Sequence, residues 1–359
     1  MRVERLNLAE WADALPPDGF EPFHLPEALS AIDSHATGDL RLYGGFKGNQ
    51  PIALLPVVVQ ERSVGTAVLS PPPGMAIPRL GPILMPTSPK RRKQEKVNQE
   101  FTERVLDRVG ADFALDERLA SAGLDDALAT RVGERVDEGL TLFRMICGTD
   151  YGDPRPYLWG DLAVEPYFTY HLDLDGRSPD EVMKSFSKSL RREIRDARDL
   201  DVTVEREGVD GARAVYEHTV ARYDDQGERL DLPWPYVREL WQNMDDRART
   251  YVARDGDGEY LTGITVLYSN DAGYFWQGGA RTVYEGTSVN SLVHWNVIEE
   301  IVDDPPVESV TTYDLMGANT QRLCRYKSKF GADLVPYYLV ESSGTTMAAA
   351  KRAYEFVQG

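Results

Sequence analysis

The strongest constraint on the fold of this 359-residue chain is a strand–turn–strand pattern that occurs once in each half. LRLYGGFKGNQPIALLPVV, starting at Leu40, and RTYVARDGDGEYLTGITVLYS, starting at Arg249, each set two β-rich runs around a glycine-containing turn, the mark of a hairpin. The flanking pattern repeats as well. In the first half, helical periodicity at Leu6–Leu15 and Leu25–Ile32 precedes the hairpin, and a helix from Lys90 to Val109 and a strand at Thr141–Cys147 follow it. The second half reads strand (Tyr167–Leu174), helix (Pro179–Leu200), strand (Val202–Arg206), helix (Gly211–Tyr223) and a further helix after Pro235. A meander (Thr250–Arg254, Tyr260–Tyr268, Ala272–Gly278), a helix (Ser291–Val302), a strand (Ser309–Asp314) and a C-terminal helix over 346–357 complete it. Two similar α+β units, each a mainly antiparallel sheet flanked by helices, account for this order, and the length suits two domains of roughly 150 residues. The expected domains are 1–155 and 156–345, joined through Tyr151–Tyr157 with its Pro154 and Pro156, and the last helix is expected to pack back on the first domain. Between Pro71 and Pro89 seven prolines exclude regular helix and central strand, leaving an ordered loop or edge segment.

Charge is distributed unevenly. The chain carries 58 acids and 40 bases, a net −18. Only 9 of the bases are lysine, a balance that fits a cytosol of high salt, where dense carboxylates stay hydrated and their repulsion is screened. Three short islands depart from it: Lys90–Lys96, Lys184–Arg198 and Arg322–Lys329 hold 15 bases and 3 acids, which leaves −30 for the remainder. In the middle island Met183, Phe186, Leu190, Ile194 and Ala197 form an apolar stripe, while Lys184, Lys188, Arg191, Arg195 and Arg198 form a cationic stripe beside it. A helix with one buried and one cationic face, in so acidic a chain, points to an anionic ligand of phosphate or diphosphate type.

Other chemistry finds no support. Cys147 and Cys324 lie far apart and outside any Cys/His cluster, so neither a disulfide framework nor a zinc site is indicated. None of the five histidines has a partner at ligand spacing, and nucleophile-elbow, phosphate-loop and zincin motifs are missing. The first residues carry acids where a signal peptide needs an apolar run, and no stretch approaches roughly 18 apolar residues. A cytoplasmic chain is expected, with peripheral contact at the inner membrane face left open.

Two segments resemble the FemAB-type peptidyltransferases. FSKSLRREIRDARDLDVTVE is similar to that family's Ser-x-Lys-x-x-Arg-x-x-Ile-Arg-x-Ala helix running into a strand, and YDLMGAN…RYKSKFGADLVPYY to its late Asp-x-x-Gly and aromatic-Lys-x-x-Phe-Gly element. The resemblance implies two tandem domains of the acetyltransferase (GNAT) fold and acyl transfer to an amine. The donor would be an aminoacyl-tRNA, met through its acceptor end, or an acyl-CoA, with no tightly bound cofactor. The acceptor would be an anionic small molecule or lipid-linked intermediate, and no DNA is implicated. By motif, Lys327 matches a lysine near the reacting carbonyl and Asp314 a carboxylate that orients or deprotonates the amine; a turn cap before Gly317 and a surface lysine are the plain alternatives. Lys188, Arg191, Arg192, Arg195 and Arg325 would hold phosphate, with Trp276, Gln277, Tyr313 and Tyr338 lining the cleft unless they are core. GGARTVYEGTSVNSLVHW lacks the Gly-rich diphosphate loop of acetyl-CoA enzymes, which disfavours CoA. An acetyl-CoA-dependent N-acetyltransferase for a sugar nucleotide or small amine, and a non-catalytic tandem-domain binding protein, are the competing readings.

The acidic remainder of the chain sets one expectation: the thermal midpoint of unfolding rises as KCl is raised to molar concentration. A midpoint independent of salt would overturn the high-salt reading.

Overall fold

The computed structural model describes residues 1–62, 65–85, 87–120, 140–279 and 281–342. The first unit comprises β1 (Arg2–Leu6), α1 (Leu8–Ala14), α2 (Pro26–His35), β2 (Asp39–Lys47), β3 (Gln50–Arg62), β4 (Gly65–Ser70), β5 (Ile83–Leu84), α3 (Arg91–Ala120) and β6 (Leu140–Ile146). After α4 (Arg155–Trp159) the second contains β7 (Leu162–Asp173), α5 (Pro179–Ser185), α6 (Lys188–Arg198), β8 (Val202–Glu207), α7 (Val209–Asp225) and α8 (Trp234–Met244). It continues with β9 (Ala248–Asp255), β10 (Tyr260–Tyr268), β11 (Ala272–Gly278), the short pair β12 (Val283–Tyr284) and β13 (Thr287–Ser288), and α9 (Asn290–Asp303). It ends with β14 (Thr312–Asp314), α10 (Gln321–Lys327) and β15 (Asp333–Ser342). The helix expected over 346–357 lies outside the described residues.

The expected duplication is present. β1 to β4 form an antiparallel meander, α3 follows, and β6 returns parallel to β4. β8 to β11 repeat the meander, α9 follows, and β14 returns parallel to β11. Both units join in one 13-stranded sheet whose order runs β1-β2-β3-β4-β6-β15-β7-β14-β11-β10-β9-β8, with β5 added on β3. The meanders lie at the two ends, and β15, antiparallel to both β6 and β7, links the units at the centre.

Two local expectations change. The helix expected over Pro179–Leu200 breaks into α5 and α6, because Phe186 turns into the core and the Ser187 hydroxyl caps a new helix by accepting from Leu190 N at 3.3 Å. Tyr151–Tyr157, expected as a linker, is packed: Tyr151 and Tyr157 are buried and stack at 5.6 Å.

The Pro-rich segment is ordered, and it fastens the units together. Met75, Ile77, Leu80 and Ile83 enter a core shared by α1 and α2 of the first unit and α8 of the second. Leu80 N and Gly81 N donate to Ile146 O at 3.1 and 2.8 Å, so this segment closes the space beyond the parallel β4–β6 pair. Between them Arg79 is 1% exposed, and its guanidinium reaches Glu21 from the first unit (Nε to Oε1 2.9 Å) and Asp314 from the second (Nη2 to Oδ2 2.5 Å). Tyr274 and Tyr337 rings flank it at 5.5 and 5.2 Å. Deleting one member of such a group leaves unpaired charge in the interior. Arg79→Met should therefore lower the free energy of unfolding by about 3–5 kcal/mol, read by denaturant titration in high salt. Adding Glu21→Gln and Asp314→Asn should recover part of that loss, and a loss below about 1 kcal/mol in the single variant would show that the group does not fasten the units.

Candidate active site

In the second unit the parallel pair is short. β14 pairs with β11 at three positions only, the last being Tyr274↔Asp314. Beyond it the chain stays with β7, Leu315 N donating to Tyr170 O and Ala318 N to Phe168 O, while β11 continues to Gly278 and bends at a register shift in its pairing with β10. A wedge opens between the second half of β11 and residues 315–317.

Lys327, at the end of α10, fills this wedge. It is 6% exposed; its Nζ donates to Met316 O and, at 3.0 Å, to Gly317 O, and lies 5.6 Å from the Phe275 ring centre. An ammonium has three N–H groups, so one remains for a ligand. Burial pulls its pKa down to about 8, with Asp314 opposing and Arg222 of α7 reinforcing the shift. His294 stands close by as a neutral imidazole, held at about 3 by burial and by Lys327, and its Nδ1 meets the Tyr313 hydroxyl at 2.9 Å.

Asp314 organises the turn that Lys327 grips. Its Oδ1 accepts from Thr169 Oγ1 at 2.5 Å and Met316 N at 2.7 Å; its Oδ2 accepts from Arg79 and faces His171 Nε2 at 3.2 Å. Met316 is thereby held in the left-handed region at φ 55°. Burial raises the Asp314 pKa, but Arg79, His171 and Thr169 outweigh it and hold the carboxyl well below the usual range. This fully buried carboxylate has both oxygens doubly engaged, and its contacts are those of a cap on the turn before Gly317, the plain alternative to orienting or deprotonating the amine.

The other expected residues divide. Gln277 is 4% exposed and neither of its amide atoms has a hydrogen-bond partner, an arrangement that leaves a buried polar group available to a ligand. Trp276 is half-buried; its Nε1 donates to Ala76 O at 2.8 Å and its ring meets Phe23, so it ties the units together. Tyr313 is core on the opposite sheet face, bonded to His294. Tyr338 packs in the core of the first unit, while its neighbour Tyr337 flanks Arg79, as alternation along a strand requires. The two cationic islands of the second unit adjoin, Ser187 N donating to Lys329 O at 2.8 Å. On their surface Lys188, Arg195, Arg322 and Arg325 are exposed and Arg191 half-buried, and none of the five has an ion-pair partner among the described residues. Arg192 is 79% exposed and pairs with Asp196 along the helix, apart from the Asp314–Lys327 group. Arg79, Glu21, Thr169 and His171 were not legible as site residues; an arginine between Pro78 and Leu80 in an apolar stretch is the one signal that pointed to any of them.

Residues 184–328 match the acetyltransferase (GNAT) domain family. Among solved structures, the crystal structure of FemX superposes with a TM-score of 0.62 at 12% identity, over 94% of this chain and 97% of that one. The C-terminal domain of a putative lysylphosphatidylglycerol synthetase from Agrobacterium fabrum follows with a TM-score of 0.51 at 13% identity, each chain being 96% covered. A protein of unknown function from Bacteroides thetaiotaomicron gives 0.55 at 10% identity, over 95% of this chain and 99% of that one. No curated protein matches the sequence. At such identities the likeness is one of fold, and it extends over both units. Residues 184–328 therefore carry the acetyltransferase (GNAT) domain, and the fold shared with FemX extends over both units.

Proposed function

We propose that the second unit transfers an aminoacyl or acyl group to an amine in the wedge beside β11, with Lys327 as the catalytic cation. The observation that carries this reading is a nearly buried ammonium with two N–H groups fixed by backbone carbonyls and one left over, at the place where β11 and β14 separate. Charge develops on the carbonyl oxygen as the amine adds, and a preorganised donor in a dry site stabilises that charge more than it stabilises the substrate. The orphaned Gln277 amide supplies a further donor or acceptor for the acyl group or the amine. The proton lost by the amine balances the one gained by the departing alcohol or thiol, so the net reaction consumes no resident base.

An ester donor, the acceptor end of an aminoacyl-tRNA, suits the chain better than CoA. Where a Gly-rich diphosphate loop would precede α9, the chain forms the β12–β13 hairpin, and Asn290 Oδ1 of the first turn of α9 accepts from Thr282 N at 2.7 Å. Phosphate would instead meet Lys188, Arg191, Arg195, Arg322 and Arg325, which have no ion-pair partner among the described residues, and this also suits an anionic, phosphate- or lipid-linked acceptor.

Two measurements test this. Incubation in molar KCl with labelled aminoacyl-tRNA, or with labelled acetyl-CoA, and with sugar-nucleotide or aminolipid amines should give transfer from the tRNA; transfer from acetyl-CoA alone would overturn the donor assignment, and transfer from neither would overturn the reaction. Lys327→Met should cut turnover about 10²–10³-fold with the circular dichroism spectrum unchanged. Because the protonated lysine is the working form, kcat should fall as pH rises through about 8, and Lys327→Arg should remove that limb. A limb that rises through the same pH would mean that the neutral amine acts as a base, against this proposal.

A further inference from the structure

The first unit holds a second cleft. α3 and the residues that leave β6 enclose about 480 Å³, the place that corresponds, by the duplication, to the surroundings of the wedge in the second unit. Its chemistry is opposite. Glu21, Glu95, Asp18, Asp150 and Asp153 face it, and Arg91 alone among its lining residues carries a fixed positive charge.

Part of this acidity is already balanced. Arg79 holds Glu21; Arg155 meets Glu95 at 2.5 Å and Asp153 at 2.7 Å, and Arg91 lies 3.9 Å from Asp153. Asp18 and Asp150 have no ion-pair partner among the described residues. They also act on their surroundings: burial raises the pKa of neighbouring Asp271, and Asp150 and Asp18 raise it further.

An independent sign of a ligand comes from Asn98 on α3. It is 3% exposed and lines the same cleft. Its Nδ2 donates to Asp153 O at 3.3 Å, which fixes the amide's orientation, and its Oδ1 has no partner. A buried carbonyl oxygen without a donor is uncommon and costly. Carboxylates and an amide oxygen offer acceptors only. Their complement is a group rich in N–H donors that carries positive charge, and the volume is that of an organic ligand rather than a bare ion. No cluster of three or more metal-binding side chains occurs among the described residues.

We propose that this cleft binds a small aliphatic polyamine, one ammonium donating to Asn98 Oδ1 and others lying against Asp18 and Asp150. The site is independent of the acyl-transfer reading, since it involves neither Lys327 nor the β11 wedge. The closing experiment is calorimetric titration of the full chain with spermidine at low salt. Saturable one-to-one binding is expected, weakened about tenfold by Asp18→Asn with Asp150→Asn and several-fold by Asn98→Leu. Removing two exposed acids elsewhere, Asp257→Asn with Glu259→Gln in the β9–β10 turn, should leave affinity unchanged. Absence of saturation, or equal weakening by the β9–β10 variant, would overturn the proposal and reduce the effect to diffuse attraction. Magnesium or pyrophosphate binding that is sensitive to Asp18→Asn with Asp150→Asn, without spermidine binding, would overturn it in favour of a metal or of an anion at the start of α3. Should Asn98→Leu fail to fold, the aspartate pair decides the outcome alone.

Discussion

A guanidinium buried between two carboxylates is expensive to desolvate, and it is tolerated only where geometry satisfies every partner. In this protein Arg79 of the first unit is such a group, joining Glu21 of its own unit to Asp314 of the second. The consequences run outward. Asp314, fixed by Arg79, Thr169 and His171, holds the Met316 amide and so the left-handed turn after β14. That turn aims two carbonyls at Lys327, which is why a lysine can sit nearly buried and still carry charge near neutrality. The catalytic geometry proposed for the second unit thus rests on a side chain from the first, a physical reason for the two units to fold as one sheet.

The duplication also shows how similar backbone plans diverge in chemistry. Both units place a parallel strand pair after a meander, with a helix between. In the first, Leu80 and Gly81 bond to the end of β6 and occupy the space beyond it, and what remains open is ringed by acids. In the second, Lys327 sits in the corresponding place, bonded to Met316 O and Gly317 O. The opposite charge of the two places follows from side-chain choice alone, on strands of matching order.

Local signals were legible in the sequence; long-range pairings were not. Hairpins around Gly-Asn and Asp-Gly turns and the buried stripe Phe186, Leu190, Ile194 and Ala197 depend on neighbours close in the chain. Arg79 and Asp314 are 235 residues apart, and nothing near either names the other. Tyr338 was expected in the cleft and Tyr337 flanks Arg79: on a strand an error of one residue changes the face, and aromatic content carries no register. The break at Ser187 was hidden because the apolar stripe runs through it without a gap, while the serine that caps the second helix reads as a tolerable helix interior.

Net charge illustrates the same division. Read as one number, −18 argues against phosphate-bearing partners. Resolved in space, it separates into surface carboxylates that face solvent, a cationic face on α6 and α10, and an acidic cleft beside α3. Salt screens exposed charges beyond a Debye length of about 3 Å at 1 M, so in concentrated salt the diffuse field of the whole molecule contributes little to recognition. What survives screening is contact, and the contacts proposed above, Lys327 with a carbonyl oxygen, an arginine with a phosphate and Asn98 with an ammonium, are of that kind. In such a solvent specificity would rest on short, partly buried interactions of the kind that Lys327 and Asn98 make here.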